Sequence, residues 1–269
     1  MRPLPLSARR RALRLGVILL VFGCALPAAA ADLLDTARAR GSLRIAMEGS
    51  YPPFNFKEPR TGQLAGYDVD VAKALAARLG LTPQFVTTAW PAILADLAAG
   101  KYDVIVSQVG ITAKRERVFD FSRPYTYSSP QLIVRSNESA AYAKLADLKG
   151  KTLGVGQGSV FEQQARAVAG IDVKSYPATP ENLQDLAFGR IDAALNDSLM
   201  VPYLLKHSQL PIKAGARVGA VARMGIPFRK GNPKFRAAVD RALNELHADG
   251  SLRAMSTKWF GSDASRPAP

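Results

Sequence analysis

Short apolar segments alternate with amphipathic ones along the chain, at lengths typical of strands and helices. The first half predicts three strands and two helices in alternation, at residues 43–47, 67–80, 84–88, 91–100 and 102–107. Segment 67–80 is predicted to be a helix because Val71, Leu75 and Leu79 recur at helical spacing, and Gly80 follows as a stop. This alternation predicts a mainly parallel sheet covered by helices.

A second series of the same kind follows. Strands are predicted at 152–156, 173–176 and 191–195, and helices at 160–170, 180–190 and 198–207. The final segment, 232–261, is predicted to be helical with a break at Gly250. Between the two series, residues 122–139 are turn-rich at both ends and strand-like at 131–134, which predicts an extended crossing between two α/β units.

Residues 1–31 have the pattern of a secretory signal peptide. Five arginines precede an apolar run at 15–26 that is too short for a convincing membrane span, and the small residues 28–30 then suit signal peptidase. We expect cleavage near Ala30 or Ala31. A lipoprotein is the alternative because Cys24 follows Gly23, although Phe22 is unusual for that motif.

Charge and composition exclude several classes of function. The chain has 36 basic and 22 acidic residues. Without the five signal arginines, 31 basic residues remain and the net charge is +9, but they are scattered, so we predict no nucleic-acid partner. Cys24 is the only cysteine, which excludes disulfides from the mature chain. His207 and His247 lack neighbouring ligands, so we predict no metal and no cofactor.

Polar residues follow the predicted strands at 48–54, 107–115 and 156–160. Ligands of open α/β sheets bind beyond the carboxyl ends of the strands. Arg115 offers a planar fork that matches a carboxylate, and Thr112 can cap the short helix that carries it. The alternative is a surface ion pair with Glu116 or Asp120.

Three further features each allow two interpretations. The loop 156–159, with sequence GQGS, suits either an anion or a tight strand-to-helix turn. Asp197 suits either an ammonium group or the N-cap of the following helix. Tyr51 and Trp90 suit either a clamp around a ligand side chain or packing in the core.

Six segments, read in order, resemble one protein family: EGSYPPFNF, GYDVDVAKALAARLG, GKYDVIVSQVGITAKRERVFDFSRPYT, LADLKGKTLGVGQGS, GRIDAALND and ADGSLRAMSTKWFG. They are similar to the periplasmic substrate-binding proteins of polar amino-acid ABC transporters, solute-binding protein family 3, and most similar to cystine-binding members. The resemblance implies a two-lobed α/β clamshell, with 32–128 plus 221–269 in one lobe, 129–220 in the other, and two hinge strands between them. It also implies a monomeric periplasmic protein, not an enzyme, whose partners are an amino acid and an inner-membrane permease.

The resemblance assigns the ligand-binding role to Glu48, Tyr51, Asp68, Trp90, Ser107, Gln108, Gly110, Arg115, Ser159, Val160 and Asp197. Carried over by position, Arg115 binds the α-carboxylate and Asp197 binds the α-ammonium group. Ser107, Gln108 and Ser159 supply further contacts.

The same resemblance implies that Tyr51 and Trp90 flank the ligand side chain, while Glu48 and Asp68 line its far end. Two carboxylates and two flat apolar walls favour a long side chain with a polar or cationic tip. Cystine satisfies this pattern, and so do lysine, arginine and ornithine.

Two positions depart from the family pattern. Gly110 stands where relatives usually have Ser or Thr, and Val160 stands where many have another polar residue. Both departures remove hydrogen bonds to a zwitterion, so the ligand is expected to be held there by water or less completely, or to differ from a plain α-amino acid.

An enzyme is the alternative function. The segment TAWPAI also resembles cyclohexadienyl dehydratases, which share the fold. Such an enzyme needs an acid beside the leaving hydroxyl, and Glu162 or Glu48 are the candidates. Phe161 occupies the position in GQGSVFEQQ where that acid is expected.

Overall fold

The computed structural model describes residues 31–267. The helices in this range are α1 (Leu33–Arg40), α2 (Tyr67–Arg78), α3 (Ile93–Ala98), α4 (Ala113–Glu116), α5 (Val160–Arg166), α6 (Thr179–Ala187), α7 (Val201–His207), α8 (Pro233–Ala248) and α9 (Ser251–Phe260). The strands are β1 (Ser42–Met47), β2 (Ser50–Tyr51), β3 (Asn55–Lys57), β4 (Leu64–Ala65), β5 (Thr82–Thr87), β6 (Val104–Ile105), β7 (Phe119–Phe121), β8 (Thr126–Ser128), β9 (Pro130–Arg135), β10 (Thr152–Gly156), β11 (Asp172–Tyr176), β12 (Ala193–Asp197), β13 (Ile212–Arg217), β14 (Ala222–Met224) and β15 (Pro227–Arg229).

Two five-stranded sheets define two lobes. The first lobe contains the sheet β5-β1-β6-β15-β7, and the second contains β11-β10-β12-β9-β13. In each sheet three strands are parallel, and the remaining strands pair antiparallel. The sheets are therefore mixed rather than mainly parallel, because β9 and β15 follow the crossings between lobes and run against their neighbours. The two-lobed α/β fold expected from the sequence is confirmed.

Two antiparallel strands, β8 and β14, connect the lobes, and Met224 pairs with Thr126 within them. Gly110 forms an isolated antiparallel bridge with the same Met224. The backbone N–H of Ile111 also donates to the carbonyl of Arg223 at 2.8 Å. The polar segment that follows β6 is therefore attached directly to the crossing.

Helix α2 shows how local sequence sets an element boundary. Gly66, directly before it, has φ of 124°, and a Cβ there would lie 2.2 Å from the carbonyl oxygen of Phe54. Glycine is therefore required at this position. The apolar face of α2 is buried as its periodicity predicts, with Val71 and Leu75 fully inaccessible. The predicted break at Gly250, between α8 and α9, is also confirmed.

Other boundaries differ from prediction near the cleft. Strand β12 continues to Asp197 instead of ending at 195, and α7 begins at Val201 instead of 198. The reason is a turn in which the N–H of Met200 donates to the carbonyl of Asp197 at 3.0 Å. Helix α5 ends at Arg166 rather than 170. Within residues 31–267, no helix has the length and apolar character needed to cross a membrane. Residues 1–30 of the predicted signal peptide, which include Cys24, lie outside the described residues.

Candidate functional site

One cavity lies between the lobes, where the carboxyl ends of the parallel strands of both sheets meet. It encloses about 60 Å³, enough for several water molecules. Its walls are formed by Glu48, Tyr51, Trp90, Ser107, Gln108, Gly110, Arg115, Gly156, Ser159, Val160, Phe161, Pro177, Ala178, Thr179, Leu195, Asn196, Asp197 and Met224. Ten of the eleven predicted site residues are therefore brought together, and Asp68 is the exception.

Arg115 reaches across the cleft from the first lobe. Its backbone N–H donates to Oγ1 of Thr112, which caps α4. Its Nη1 donates to the carbonyl of Gly110 at 2.7 Å, and its Nη2 donates to the carbonyl of Gly158 at 2.9 Å. Burial lowers the pKa of the guanidinium to about 10. These two bonds use only part of the donor capacity of the five N–H groups.

The surface ion pair considered for Arg115 is not formed. No carboxylate within residues 31–267 lies within 4.0 Å of its nitrogens, and Asp120 instead lies 4.0 Å from Arg236. A half-buried guanidinium without a protein counter-ion in the described chain is suited to bind an anionic group from a ligand, and a carboxylate matches its fork geometry.

Asp197 ends β12 and is fully buried in the wall of the second lobe. Its Oδ1 accepts from the N–H of Leu199 at 2.8 Å, and its Oδ2 accepts from the hydroxyl of Ser128 at 2.5 Å. Burial raises the pKa of this carboxyl to about 6, against the hydrogen bonds from Ser128 and Leu199. Asp197 therefore combines turn capping with cavity lining, and its two oxygens retain lone pairs for an ammonium group.

The two aromatic walls also join the lobes. The hydroxyl of Tyr51 donates to Oδ1 of Asn196 at 2.8 Å, and Nε1 of Trp90 donates to the carbonyl of Gln157 at 2.8 Å. The ring of Tyr51 stacks on Phe54 with 5.0 Å between centroids. Both aromatics thus line the cavity, and both make cross-cleft bonds that hold the lobes together in this closed arrangement.

Gln108 forms part of the cavity floor in an unusual backbone conformation. Its φ is 50°, in the left-handed region that residues other than glycine seldom adopt. Its Nε2 donates to Oδ1 of Asp68 at 2.7 Å, and its N–H donates to the hydroxyl of Tyr125 at 3.1 Å. Its Oε1 is buried with no hydrogen-bond partner in the described chain. The residue is therefore fixed in place with one acceptor still unused.

Asp68 lies behind this floor and does not line the cavity. It is fully buried and accepts from Nδ2 of Asn55, Nε2 of Gln108 and the hydroxyl of Tyr125 at 2.7 to 2.9 Å. Burial raises its pKa to about 6, while these three hydrogen bonds oppose the rise. The expected contact between Asp68 and the far end of a ligand does not fit this position, because Gln108 stands in between.

Glu48 does reach the cavity. It is partly exposed, and its Oε1 accepts only from the hydroxyl of Ser50, at 3.0 Å. Its backbone N–H donates to Oγ of Ser107, a neighbouring cavity residue, at 3.2 Å. Burial raises its pKa above the ordinary value. Glu48 is therefore the carboxylate available to a ligand on this side of the cleft.

The loop 156–159 forms a tight strand-to-helix turn, which is one of the two interpretations considered for it. The N–H groups of Gln157, Gly158 and Ser159 donate to the carbonyl of Tyr176, Oε2 of Glu162 and the carbonyl of Gly156. Oγ of Ser159 accepts from the N–H of Glu162 at 3.0 Å, as a helix N-cap. These three donors are satisfied by protein acceptors, so they are not available to an anion. Ser159 nevertheless lines the cavity.

Sequence reasoning did not assign Asn196, Phe161, Thr179 or Met224 to the cavity. Asn196 directly precedes Asp197 at the end of a strand, so its position in the sequence could have predicted that it lines the cavity. Phe161 follows the glycine-rich turn and is almost completely buried. Thr179 and Met224 reach the site only through the packing of α6 and the crossing strands, and no local pattern identifies them.

Comparison with known proteins supplies independent findings. A sequence profile described as bacterial extracellular solute-binding proteins, family 3, matches residues 43–262. The L-cystine-binding protein TcyJ of Escherichia coli (strain K12) is 38% identical over 235 residues, which cover 87% of this chain and 88% of that protein. The L-cystine-binding protein TcyA of Bacillus subtilis (strain 168) is 35% identical over 236 residues, covering 87% of each chain. The expected resemblance to cystine-binding members is confirmed.

Two solved structures are similar over most of the chain. The ancestral amino acid-binding protein AncCDT-1, a precursor of cyclohexadienyl dehydratase, has a TM-score of 0.78 and 31% identity, and the match covers 86% of this chain and 100% of that one. An ancestral arginine-binding protein bound to arginine has a TM-score of 0.77 and 35% identity, covering 82% of this chain and 99% of that one.

Proposed function

Because the chain belongs to the bacterial extracellular solute-binding proteins of family 3, we propose that it binds a polar amino acid between its lobes and delivers it to the permease of an ABC transporter. One observation carries this proposal. Arg115, without a counter-ion in the described chain, and the buried carboxyl of Asp197 line the same closed cavity. Together they offer complementary charges to the α-carboxylate and α-ammonium groups of one zwitterion.

We propose L-cystine as the ligand, with basic amino acids as the alternative. Tyr51 and Trp90 provide flat walls for a long side chain, and Glu48 provides a carboxylate for a second ammonium or a guanidinium group. The likeness to two cystine-binding proteins supports cystine. The likeness to an arginine-bound structure supports the alternative.

The proposal is tested by a thermal-shift screen of the twenty amino acids plus cystine, ornithine, citrulline and diaminopimelate, followed by calorimetry on the ligands found. A ligand at a hundredfold excess over its dissociation constant should stabilise the protein by about 2.7 kcal/mol. The Arg115→Ala variant provides the control, because its melting temperature should rise less than that of the wild type at the same ligand concentration. If no compound in the screen stabilises the wild-type protein, the proposal is wrong.

Cyclohexadienyl dehydratase activity is the second candidate. It is favoured by the raised pKa of Glu48 in the cavity and by the likeness to a dehydratase precursor. Glu162, the other candidate acid, is paired with Arg166 and Ser175, has a lowered pKa and does not line the cavity. Phe161 lines the cavity instead. Incubation of the wild-type protein with prephenate should yield no phenylpyruvate if binding is the function. Glu48→Gln is the control, because it removes the candidate acid and should lose any activity that the wild type has.

We further propose that the protein matures in the periplasm as a monomer beginning near Ala31. The lobe boundaries proposed are 32–128 plus 221–269 for the first lobe and 129–220 for the second. Mass spectrometry of protein recovered from the periplasm of a Gram-negative host should give an N-terminus near Ala31. A lipid found on Cys24 would overturn the soluble form.

A further inference from the structure

Gly110 and Val160 meet across the cleft, one from each lobe. A Cβ built on Gly110 would lie 2.3 Å from Cγ1 of Val160 and 3.3 Å from its Cβ and Cγ2. These are the three nearest atoms, so the space that a side chain at 110 needs is filled from the opposite lobe. The backbone of Gly110 lies outside the left-handed region. Glycine is therefore required here by the neighbour and not by local backbone conformation.

The same two residues separate two spaces. Both line the closed cavity, and both also line an open groove on the outer side of the cleft. The remaining residues of this outer groove are Ile111, Thr112, Gln163, Gln164, Ala167, Val221, Ala222 and Arg223. The contact between Gly110 and Val160 is therefore part of the partition between the cavity and the outer groove, beside Arg115.

Both partners are held firmly. The carbonyl of Gly110 accepts from Arg115, and the residues on either side of it bond to β14 and to Gly225 through Ile111 N–H and Val109 carbonyl. Val160 is the first residue of α5, whose start is capped by Ser159. A β-branched side chain in a helix has one strongly preferred rotamer. Neither residue can move aside without disturbing its own lobe.

We propose that Gly110 and Val160 form a matched steric contact that sets how far the lobes close and ends the binding cavity beside Arg115. The proposal rests on the proposed function and deepens it. A bare position opposite a branched apolar one gives the ligand no side-chain hydrogen bond at this end. It replaces those bonds with exclusion of solvent, because the lobes can close completely. A side chain at 110 keeps Val160 away and leaves the cavity open to the outer groove.

A designed crosslink tests the contact without a ligand. The paired substitutions Gly110→Cys and Val160→Cys place two Cβ atoms 3.3 Å apart. A small separation of the two backbones brings them into the range of about 3.5 to 4.5 Å that disulfides need. Cys24 is the only natural cysteine, so the chain from residue 32 contains no other thiol. Mild oxidation should form the disulfide in the ligand-free protein, and the crosslinked protein should not bind L-arginine until it is reduced. L-cystine is not used in this assay, because the reductant would cleave it and the freed thiols would exchange with it.

Gly110→Cys with Val221→Cys is the matched control, since Val221 also lines the outer groove but all three atoms nearest to a Cβ at 110 belong to Val160. The control pair should stay reduced under the same conditions. If the two pairs oxidise equally slowly, with or without L-arginine present, the contact does not form and the proposal is overturned.

A double-mutant cycle then tests the consequence for binding, with L-cystine and L-arginine as probes. Gly110→Ala should weaken binding at least tenfold, and adding Val160→Ala should return affinity to within threefold of Val160→Ala alone. Adding Val221→Ala should not restore it. Unchanged affinity in Gly110→Ala would overturn the inference while leaving the proposed function intact. If the wild-type protein binds neither L-cystine nor L-arginine, those two ligands are wrong. The crosslink would still test whether Gly110 and Val160 are in contact.

Discussion

The hydroxyl of Tyr51 donates a hydrogen bond of 2.8 Å to Oδ1 of Asn196 across the cleft. The same Oδ1 accepts from the backbone N–H of Asp197 at 2.8 Å. An aromatic wall of the first lobe is thus joined to the residue beside the buried carboxylate of the second. This bond exists only when the lobes are closed, so it stabilises the closed form relative to an open one.

Tyr51→Phe is expected to weaken amino-acid binding by about two- to twelvefold, because one hydrogen bond contributes roughly 0.5 to 1.5 kcal/mol. The ring and its stacking on Phe54 remain, so the melting temperature of the ligand-free protein should change little. Calorimetry measures the affinity. Tyr203→Phe is the control, since Tyr203 lies outside the cavity. Equal affinities for Tyr51→Phe and wild type would exclude a role for this bond in closure.

Arg115→Ala is expected to weaken binding by roughly 2 to 5 kcal/mol, or about thirtyfold to several thousandfold, because the ligand carboxylate loses its charged partner in a desolvated site. Arg117→Ala is the matched control, since Arg117 is exposed at the end of the same short helix. Isothermal calorimetry compares the two variants. Binding within threefold of wild type in Arg115→Ala would remove this residue from the site.

Asp197 should make binding and stability respond to pH in opposite directions. Its pKa is raised from 3.8 to about 6, so the folded protein retains a proton that the unfolded chain releases. The ligand-free protein gains this stability fully below about pH 4 and loses it as pH rises through 6. An ammonium ligand needs the ionised carboxylate, so affinity should fall about tenfold between pH 8 and pH 5.

Calorimetry at four pH values between 5 and 8 measures this change in affinity. Asp197→Asn should bind roughly 2 to 5 kcal/mol more weakly and should lose most of the pH dependence. Asp68 also has a pKa of about 6 and is still present in this variant. Any pH dependence of stability that Asp197→Asn retains in this range is therefore assigned to Asp68. Affinity that does not change with pH would contradict contact between Asp197 and an ammonium group.

Asp68→Asn is expected to lower the free energy of unfolding by about 1 to 3 kcal/mol. Asn55 Nδ2 donates to one carboxylate oxygen and Gln108 Nε2 to the other, so the new amide nitrogen must face one of these two donors. Urea unfolding at pH 7 measures the loss. The exposed Asp35→Asn, which removes only a surface pair with Lys234, should cost no more than about 1 kcal/mol. Equal stabilities in the two variants would contradict the supporting role of Asp68.

Glu48 is expected to control selectivity. Cystine or a basic amino acid should bind at least a hundredfold more tightly than leucine, about 2.8 kcal/mol, because leucine leaves a carboxylate without a partner in the closed cleft. Glu48→Gln should narrow that gap while stability stays near that of the wild type. Competition assays, in which leucine displaces the bound ligand, measure the ratio of the two affinities. Leucine binding as tightly as cystine and the basic amino acids in the wild type would contradict this account.

Periodicity alone was sufficient for much of the fold. Alternating apolar strands and amphipathic helices predicted two α/β units, and β10 and the break at Gly250 lie where the pattern predicted them. These elements are determined locally because the 3.6-residue and two-residue periods, with glycine stops, act within a few residues. The strand-end placement of Arg115 and Asp197 followed from the same patterns and is seen in the cavity.

Tertiary structure decided what each site residue touches. Asp68 and Glu48 are both acidic residues near strand or helix ends, yet one is buried behind Gln108 and the other lines the cavity. In the sequence, Gly110 and Val160 each predict only the loss of a hydrogen bond to the ligand. Their approach across the cleft shows that Val160 fills the space that a side chain at 110 would need. Local sequence contains propensities and charges, whereas contacts between residues 50 positions apart depend on how the two sheets and their helices close on each other.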